Sequence, residues 1–147
     1  MICFSMRKSI LGLAACFFVL CASHSAKAQN IGIGNLQLSL DNAWVANGYG
    51  NATGSTIAVG TQLTGYVTVN GVTGNGGTTY VNCWALNQST GQGSEIYSTA
   101  TPVSLYAQFP WTPSTSGTYQ VYCSADYQGN YANGTVYTGN ITLVVNP

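Results

Sequence analysis

Short runs of alternating apolar and polar residues recur between positions 36 and 145, and no apolar pattern of helical period lasts longer than one turn. Alternation of this kind places apolar side chains on one face of a β-strand. The pattern therefore predicts an all-β chain. The predicted strands lie at 36–40, 62–69, 79–87, 103–111, 119–125 and 141–145, with a further short strand around 95–98.

The segments between these runs are rich in Gly, Asn, Ser and Thr, which end strands and form turns. They occupy positions 47–55, 70–77, 87–94, 112–117 and 127–134. About six or seven short strands with turns at this spacing predict an antiparallel β-sandwich or a small barrel. No repeat and no long linker divides the sequence, so we expect one domain over 29–147.

The first 28 residues have the features of a cleaved secretory signal peptide of bacterial type. Arg7 and Lys8 precede an apolar run at 10–21, and Ala26-Lys27-Ala28 forms a small-x-small cleavage site. The alternative, a membrane anchor, needs about 20 apolar residues, which is more than this run supplies. We therefore predict an exported protein, secreted or held at the cell surface, that begins at Gln29.

From Gln29 onwards the chain has no Lys, Arg or His, and its only charged side chains are Asp41, Glu95 and Asp126. Binding to nucleic acid or to an anionic membrane depends on cationic side chains, so both partners are excluded. A serine nucleophile would have no histidine base, and no Cys/His set could hold zinc. The composition predicts a protein without a cofactor, a metal or an enzymatic activity.

The three carboxylates are the strongest remaining route to catalysis, since glycoside hydrolysis needs only a pair of them at a defined separation. Asp41 precedes Asn42 and Asp126 lies at the end of a predicted strand, so turn capping explains both more simply. Calcium would need six to eight oxygen ligands and usually several carboxylates. We therefore predict no catalytic residue and no metal site.

Two of the five cysteines, Cys83 and Cys123, lie outside the predicted signal peptide. An even number of cysteines in an exported protein indicates a disulfide, and this pair is the only one available. The alternative is two buried free thiols. The alternation is compatible with this bond, because each cysteine can point inward together with the apolar residues of its run.

The segment 109–127 resembles the region between strands E and F in bacterial extracellular immunoglobulin-like modules of the PKD and CARDB types. The matching residues are Trp111, Pro113, Gly117, Tyr119 and Val121. The resemblance implies an immunoglobulin-like antiparallel β-sandwich of about seven strands, with strands B, C and G at 60–69, 79–87 and 136–145. The predicted strand B lacks the cysteine of antibody domains, and Val121 replaces their tyrosine two residues before the strand F cysteine. A jelly roll is the alternative within the class.

If Cys83 points into the core, alternation places Tyr80 and Trp84 on the outer face, and Tyr122 joins them from the neighbouring strand. Flat aromatic rings and amides bind sugars without needing charge. The candidate binding residues are Tyr80, Trp84, Tyr122, Tyr127 and Tyr131, with Asn82 and Gln120 as polar partners. In the alternative, the strand presents its other face to the core, so that Trp84 points inward.

Two functions fit these features. The first is a non-catalytic binding module for a neutral polymer, such as a carbohydrate, or for a surface protein. The second is a self-associating structural protein of the cell surface or matrix, for which low charge and an apolar run at 140–147, expected at a sheet edge, would favour strand-to-strand association.

Overall fold

The computed structural model describes residues 32–41, 43–47, 53–70, 77–102, 104–129 and 133–147, all of which lie in strands, turns and connecting segments. The strands are β1 (Gly32–Ile33), β2 (Gln37–Leu40), β3 (Ala43–Asn47), β4 (Thr53–Ala58), β5 (Leu63–Asn70), β6 (Thr78–Asn87), β7 (Gln92–Thr101), β8 (Leu105–Trp111), β9 (Gly117–Gln128), β10 (Asn133–Tyr137) and β11 (Ile141–Asn146). No helix that could cross a membrane occurs in these ranges.

The strands form two sheets that pack face to face as a β-sandwich. In the first sheet, β5 lies between β8 on one side and β1 and β2 on the other, and β3 pairs with β2. The second sheet has the order β4-β11-β9-β6-β7, with β10 also pairing with β9. This is an immunoglobulin-like arrangement, in which β5 and β8 take the places of strands B and E, and β6, β9 and β10–β11 those of C, F and G.

The sandwich has more strand segments than the predicted seven, and it is not purely antiparallel. Strands β10 and β11 pair with successive parts of β9, so one expected strand is divided in two. Strand β4 pairs with β11 in parallel. Both β4 and β10 overlap segments that were expected to be turns, because peripheral strands form backbone hydrogen bonds without an alternating apolar pattern.

The core lies between the two inner faces and follows the predicted alternation. Every second residue of β5, β6, β9 and β11 is buried. The largest fully buried side chains are Leu36, Leu38, Leu63, Ile141, Leu143, Val67, Val69, Val81, Val121, Val145, Thr79 and Pro113. Across the interior, Tyr97 of β7 stacks on Phe109 of β8 with ring centroids 4.7 Å apart, which joins one sheet to the other.

Cys83 and Cys123 form the predicted disulfide. They lie directly opposite each other on β6 and β9, with Cα atoms 4.0 Å apart, and both are fully buried. The prediction of the bond and of its inward direction is confirmed.

Tyr119 closes the connection between β8 and β9 in the manner of a tyrosine corner. Its hydroxyl group donates a hydrogen bond to the backbone carbonyl of Thr115 at 3.1 Å, and the Thr115 hydroxyl lies 2.7 Å from the same phenol oxygen. Its ring meets Trp111 edge-on, with centroids 5.5 Å apart. The corner tyrosine is thus present two residues earlier than in antibody domains, at the next inward position of the strand.

The apolar run at 140–147 does not form a sheet edge, contrary to expectation. Strand β11 pairs with β9 on one side and with β4 on the other, and Ile141, Leu143 and Val145 are buried. The run is apolar because it lies in the middle of a sheet and faces the core.

Candidate functional site

The outer face of the second sheet carries three of the five aromatic residues predicted from the sequence, Tyr80, Trp84 and Tyr122, and we call them the Trp84 face. Trp84 is 37% exposed, Tyr80 is also exposed, and Tyr122 is half-buried directly opposite Trp84 on the adjacent strand. Trp84 therefore points away from Cys83. The alternative that Trp84 belongs to the core is wrong.

Two other predicted ring residues do not join this face. Tyr127 is only 3% exposed, because the odd-numbered residues of β9 from Tyr119 to Tyr127 point inward. The prediction that Tyr127 lies with Trp84 on the outer face is wrong, since the alternation that places Tyr122 outward turns Tyr127 inward. Tyr131 lies outside the described residues.

Tyr137 is an exposed aromatic residue that the sequence analysis did not assign to the Trp84 face. It lies on β10 opposite Ser124, an outward position of β9. An uninterrupted strand through Ile141 would have turned Tyr137 inward, but the interval at 138–140 changes the phase. Thr138 marks this break, because its hydroxyl accepts a hydrogen bond from the backbone N–H of Cys123 at 2.9 Å.

The polar partners predicted for the Trp84 face lie on it as expected. Asn82 is half-buried and its side-chain oxygen accepts a hydrogen bond from the Ser98 hydroxyl at 2.8 Å. Gln120 is half-buried opposite Leu86. Part of the amide capacity of this face is therefore already used within the protein.

Two of the three carboxylates flank the rings of the Trp84 face. Glu95 lies opposite Trp84 on β7, and Asp126 lies opposite Tyr80 on β9. The Asp126 carboxylate accepts hydrogen bonds from the Thr135 hydroxyl at 2.9 Å and from Gln128 Nε2 at 3.1 Å. Asp126 lies within a strand rather than at its end, so it stabilises the contact of β9 with β10 instead of capping a turn.

Asp41 lies apart from the other two acids, in the tight turn between β2 and β3, where it has a φ of 47°. Asp and Asn tolerate this left-handed conformation better than most residues, which agrees with the turn role predicted for it. Across the described part of the chain, no group of three or more His, Cys, Asp or Glu residues is placed to hold a metal ion.

The outer face of the first sheet carries a second aromatic set, which the sequence analysis missed and which we call the Trp44 face: Trp44, Tyr66 and Tyr106. Trp44 is 59% exposed and Tyr106 is 63% exposed, with the half-buried Tyr66 between them. The Tyr66 ring centroid lies 5.4 Å from that of Trp44 and 6.1 Å from that of Tyr106. The three rings form one continuous line.

A shallow groove of about 230 Å³ runs beside this line of rings. Its lining residues are Asn35, Gln37, Tyr66, Val67, Thr68 and Tyr106. The volume is below the roughly 300–1,000 Å³ of pockets that enclose a drug-sized ligand. The groove therefore suits a ligand that lies along the surface and is only partly covered.

Strand register explains how the Trp44 face is assembled and why it was missed. Gln37 and Gln108 flank Tyr66 on the two neighbouring strands, and Tyr106 pairs with Thr68 one outward position further along. The outward direction of Tyr66 was evident from its alternation with Leu63, Gly65 and Val67. Its proximity to the other two rings depends on the pairing of β5 with β2 and β8, which alternation within one strand does not specify.

Trp44 was missed for a second reason. It lies on β3, whose pairing with β2 contains a bulge between Leu38 and Ser39. The bulge interrupts the alternation, so the segment 43–47 was not predicted as a strand. The sequence then showed only a single tryptophan, Trp44, close to a predicted turn.

The strands of the first sheet contain no charged residue, whereas β7 and β9 of the second sheet each contain one. The two outer faces therefore differ in charge as well as in ring geometry. No family model matches the sequence, and no curated protein shows significant similarity to it.

Proposed function

We propose that the protein is a secreted or surface-exposed, non-catalytic binding module for a neutral polymer, most simply a carbohydrate. The buried disulfide is compatible with export, which stays a prediction because the signal segment lies outside the described residues. Membership of the PKD and CARDB group likewise stays a prediction from resemblance.

The observation that carries the proposal is the line of three rings on the Trp44 face, next to a groove with amide and hydroxyl groups. Aromatic faces stack on the C–H surfaces of sugar rings, and amides and hydroxyls exchange hydrogen bonds with sugar hydroxyls. Aromatic pairs in proteins contribute roughly 0.5–1.5 kcal/mol beyond their buried area, and by analogy we expect a similar contribution from each sugar stacked on a ring. Three rings together would support a moderate affinity.

The charge of the Trp44 face also supports a neutral ligand. Strands without a charged residue offer no electrostatic attraction to an ionic ligand, and an ion leaving water would lose hydration without compensation. A neutral polymer avoids this cost. The Trp84 face has rings as well, but Glu95 and Asp126 flank them, so it suits a neutral ligand less well.

The alternative of a self-associating protein has less support. Its main argument was an apolar edge strand, and β11 instead lies between β4 and β9. Exposed rings on both outer faces are the observation that still favours it. Sedimentation analysis of the purified protein without ligand tests this alternative: oligomers that persist at low concentration would favour it over the binding module.

The proposed function is tested with a panel of soluble neutral glycans and matched variants. We expect wild-type protein to bind at least one glycan. Trp44→Ala and Tyr106→Ala should each weaken that binding about tenfold, which corresponds to the loss of one stacked ring. Tyr106→Phe, which keeps the ring, should bind nearly as wild type, and Trp84→Ala serves as the control on the other face. Absence of binding to every neutral glycan, in soluble and in insoluble form, would contradict the proposal.

A further inference from the structure

We propose that the Trp44 face binds a single solvated polymer chain of neutral sugars rather than the flat surface of a crystalline polymer. This inference rests on the proposed function and specifies the physical form of the ligand. It depends on the relative orientation of the three rings and on the position of the groove beside them.

The planes of Trp44 and Tyr66 are inclined by 71°, and those of Tyr66 and Tyr106 by 39°. A flat lattice can stack at the same time only on rings that share one plane. On this face a lattice would stack fully on one ring, whereas a flexible chain can turn between successive units and follow each ring in turn.

Tyr66 is half-buried, and its two neighbours on the line are exposed. The centre of the ring line is thus less accessible than its two ends. A rigid surface resting on the outer rings would be held away from Tyr66, but a single chain can bend toward it.

The polar side chains of Asn35, Gln37 and Thr68 line the groove beside Tyr66 and Tyr106. A crystalline surface presents its hydroxyl groups in a plane and cannot insert them into a groove. A separate chain can place its hydroxyl groups there, so these polar residues become useful only for a ligand of that form.

The three rings come from β3, β5 and β8, so the line crosses the strands diagonally. Its length is limited by two centroid separations of 5.4 and 6.1 Å, which a few linked sugar units would cover. We therefore expect affinity to rise with oligosaccharide length over the first few units and then to level off.

The test compares soluble and crystalline forms of the same polymers. Hydroxyethyl cellulose and chito-oligosaccharides are the soluble probes, and microcrystalline cellulose and crystalline chitin are the insoluble ones; further soluble neutral glycans extend the panel. Binding to the soluble probes is measured by calorimetry, and binding to the insoluble probes by depletion of the protein from solution. Wild type, Trp44→Ala and Trp84→Ala are compared throughout.

We expect binding to at least one soluble glycan that Trp44→Ala weakens about tenfold and Trp84→Ala leaves nearly unchanged, with only background depletion by crystalline polymer. Equal or stronger retention on a crystalline form, abolished by Trp44→Ala, would overturn the single-chain inference and leave the proposed function standing. Binding to neither form across the panel would overturn both.

Discussion

The two outer faces of the sandwich both display aromatic residues, but they organise them differently. On the Trp44 face, each ring contacts the next, and the strands beneath contain no charge. On the Trp84 face, Trp84 and Tyr122 are direct cross-strand neighbours, while Glu95 and Asp126 stand beside the rings. Exposure of rings is therefore not enough to define a site: the continuity of the rings and the charges around them separate the two faces.

The largest expected effect is on stability and is found by comparing the three tryptophans of the chain. Trp111 is buried, whereas Trp44 and Trp84 each lie on one of the outer faces. Trp111→Ala should lower the free energy of unfolding by roughly 3–5 kcal/mol, because it removes a buried ring that packs on Tyr119. Trp44→Ala and Trp84→Ala should each cost about 1 kcal/mol, as expected for partly exposed positions. Urea denaturation monitored by circular dichroism measures all three.

A loss for Trp84→Ala as large as that for Trp111→Ala would mean that Trp84 serves the core after all. A large loss for Trp44→Ala would likewise show that its ring holds β3 in place, and would weaken the assignment of the Trp44 face to binding.

Most of the second sheet's interior could be predicted from the sequence, because alternation along β6 and β9 fixes which side chains point inward once one cysteine is placed. The same rule placed Trp84 correctly. It also gives Tyr127 the inward direction of Tyr119 and Cys123, so the expected place of Tyr127 on the outer face is wrong.

The Trp44 face could not be predicted in the same way. Its rings come from three strands, and their contact depends on which strands are neighbours and in which register they pair. A local irregularity added to the difficulty, because the bulge in the pairing of β2 with β3 interrupts the alternation beside Trp44. On the second sheet, the phase change between β10 and β11 likewise hid the outward direction of Tyr137.

The next largest effect concerns the disulfide, which lies under the Trp84 face and far in sequence from Trp44. Replacing both Cys83 and Cys123 by Ala should destabilise the protein by about 4 kcal/mol in the chain-entropy model for a separation of 40 residues. Because the Trp44 face belongs to the other sheet, the variant should keep its glycan affinity wherever it remains folded. Calorimetry and a thermal melt on the same sample measure the two properties.

If the double variant is fully folded by circular dichroism and yet loses glycan affinity, binding depends on the second sheet. That result would shift the proposed site from the Trp44 face to the Trp84 face.

The smallest expected effect is that of salt. Binding at the Trp44 face, whose strands contain no charged residue, should keep its Kd within about twofold as sodium chloride is raised, since screening acts on charges. A ligand held beside Glu95 and Asp126 would instead bind more weakly at high salt if it were cationic. Titrations at low and high ionic strength measure this difference, and a steep dependence would indicate an ionic ligand on the Trp84 face.

The central claim, that the Trp44 face is the binding surface, is tested most directly by following the three indole N–H signals in a nitrogen–proton NMR spectrum during a glycan titration. Each signal is assigned with a single Trp→Phe variant. We predict that the Trp44 signal shifts progressively and to saturation, while the Trp84 and Trp111 signals stay close to their starting positions. A saturable shift of the Trp84 signal with the Trp44 signal unmoved would contradict the account.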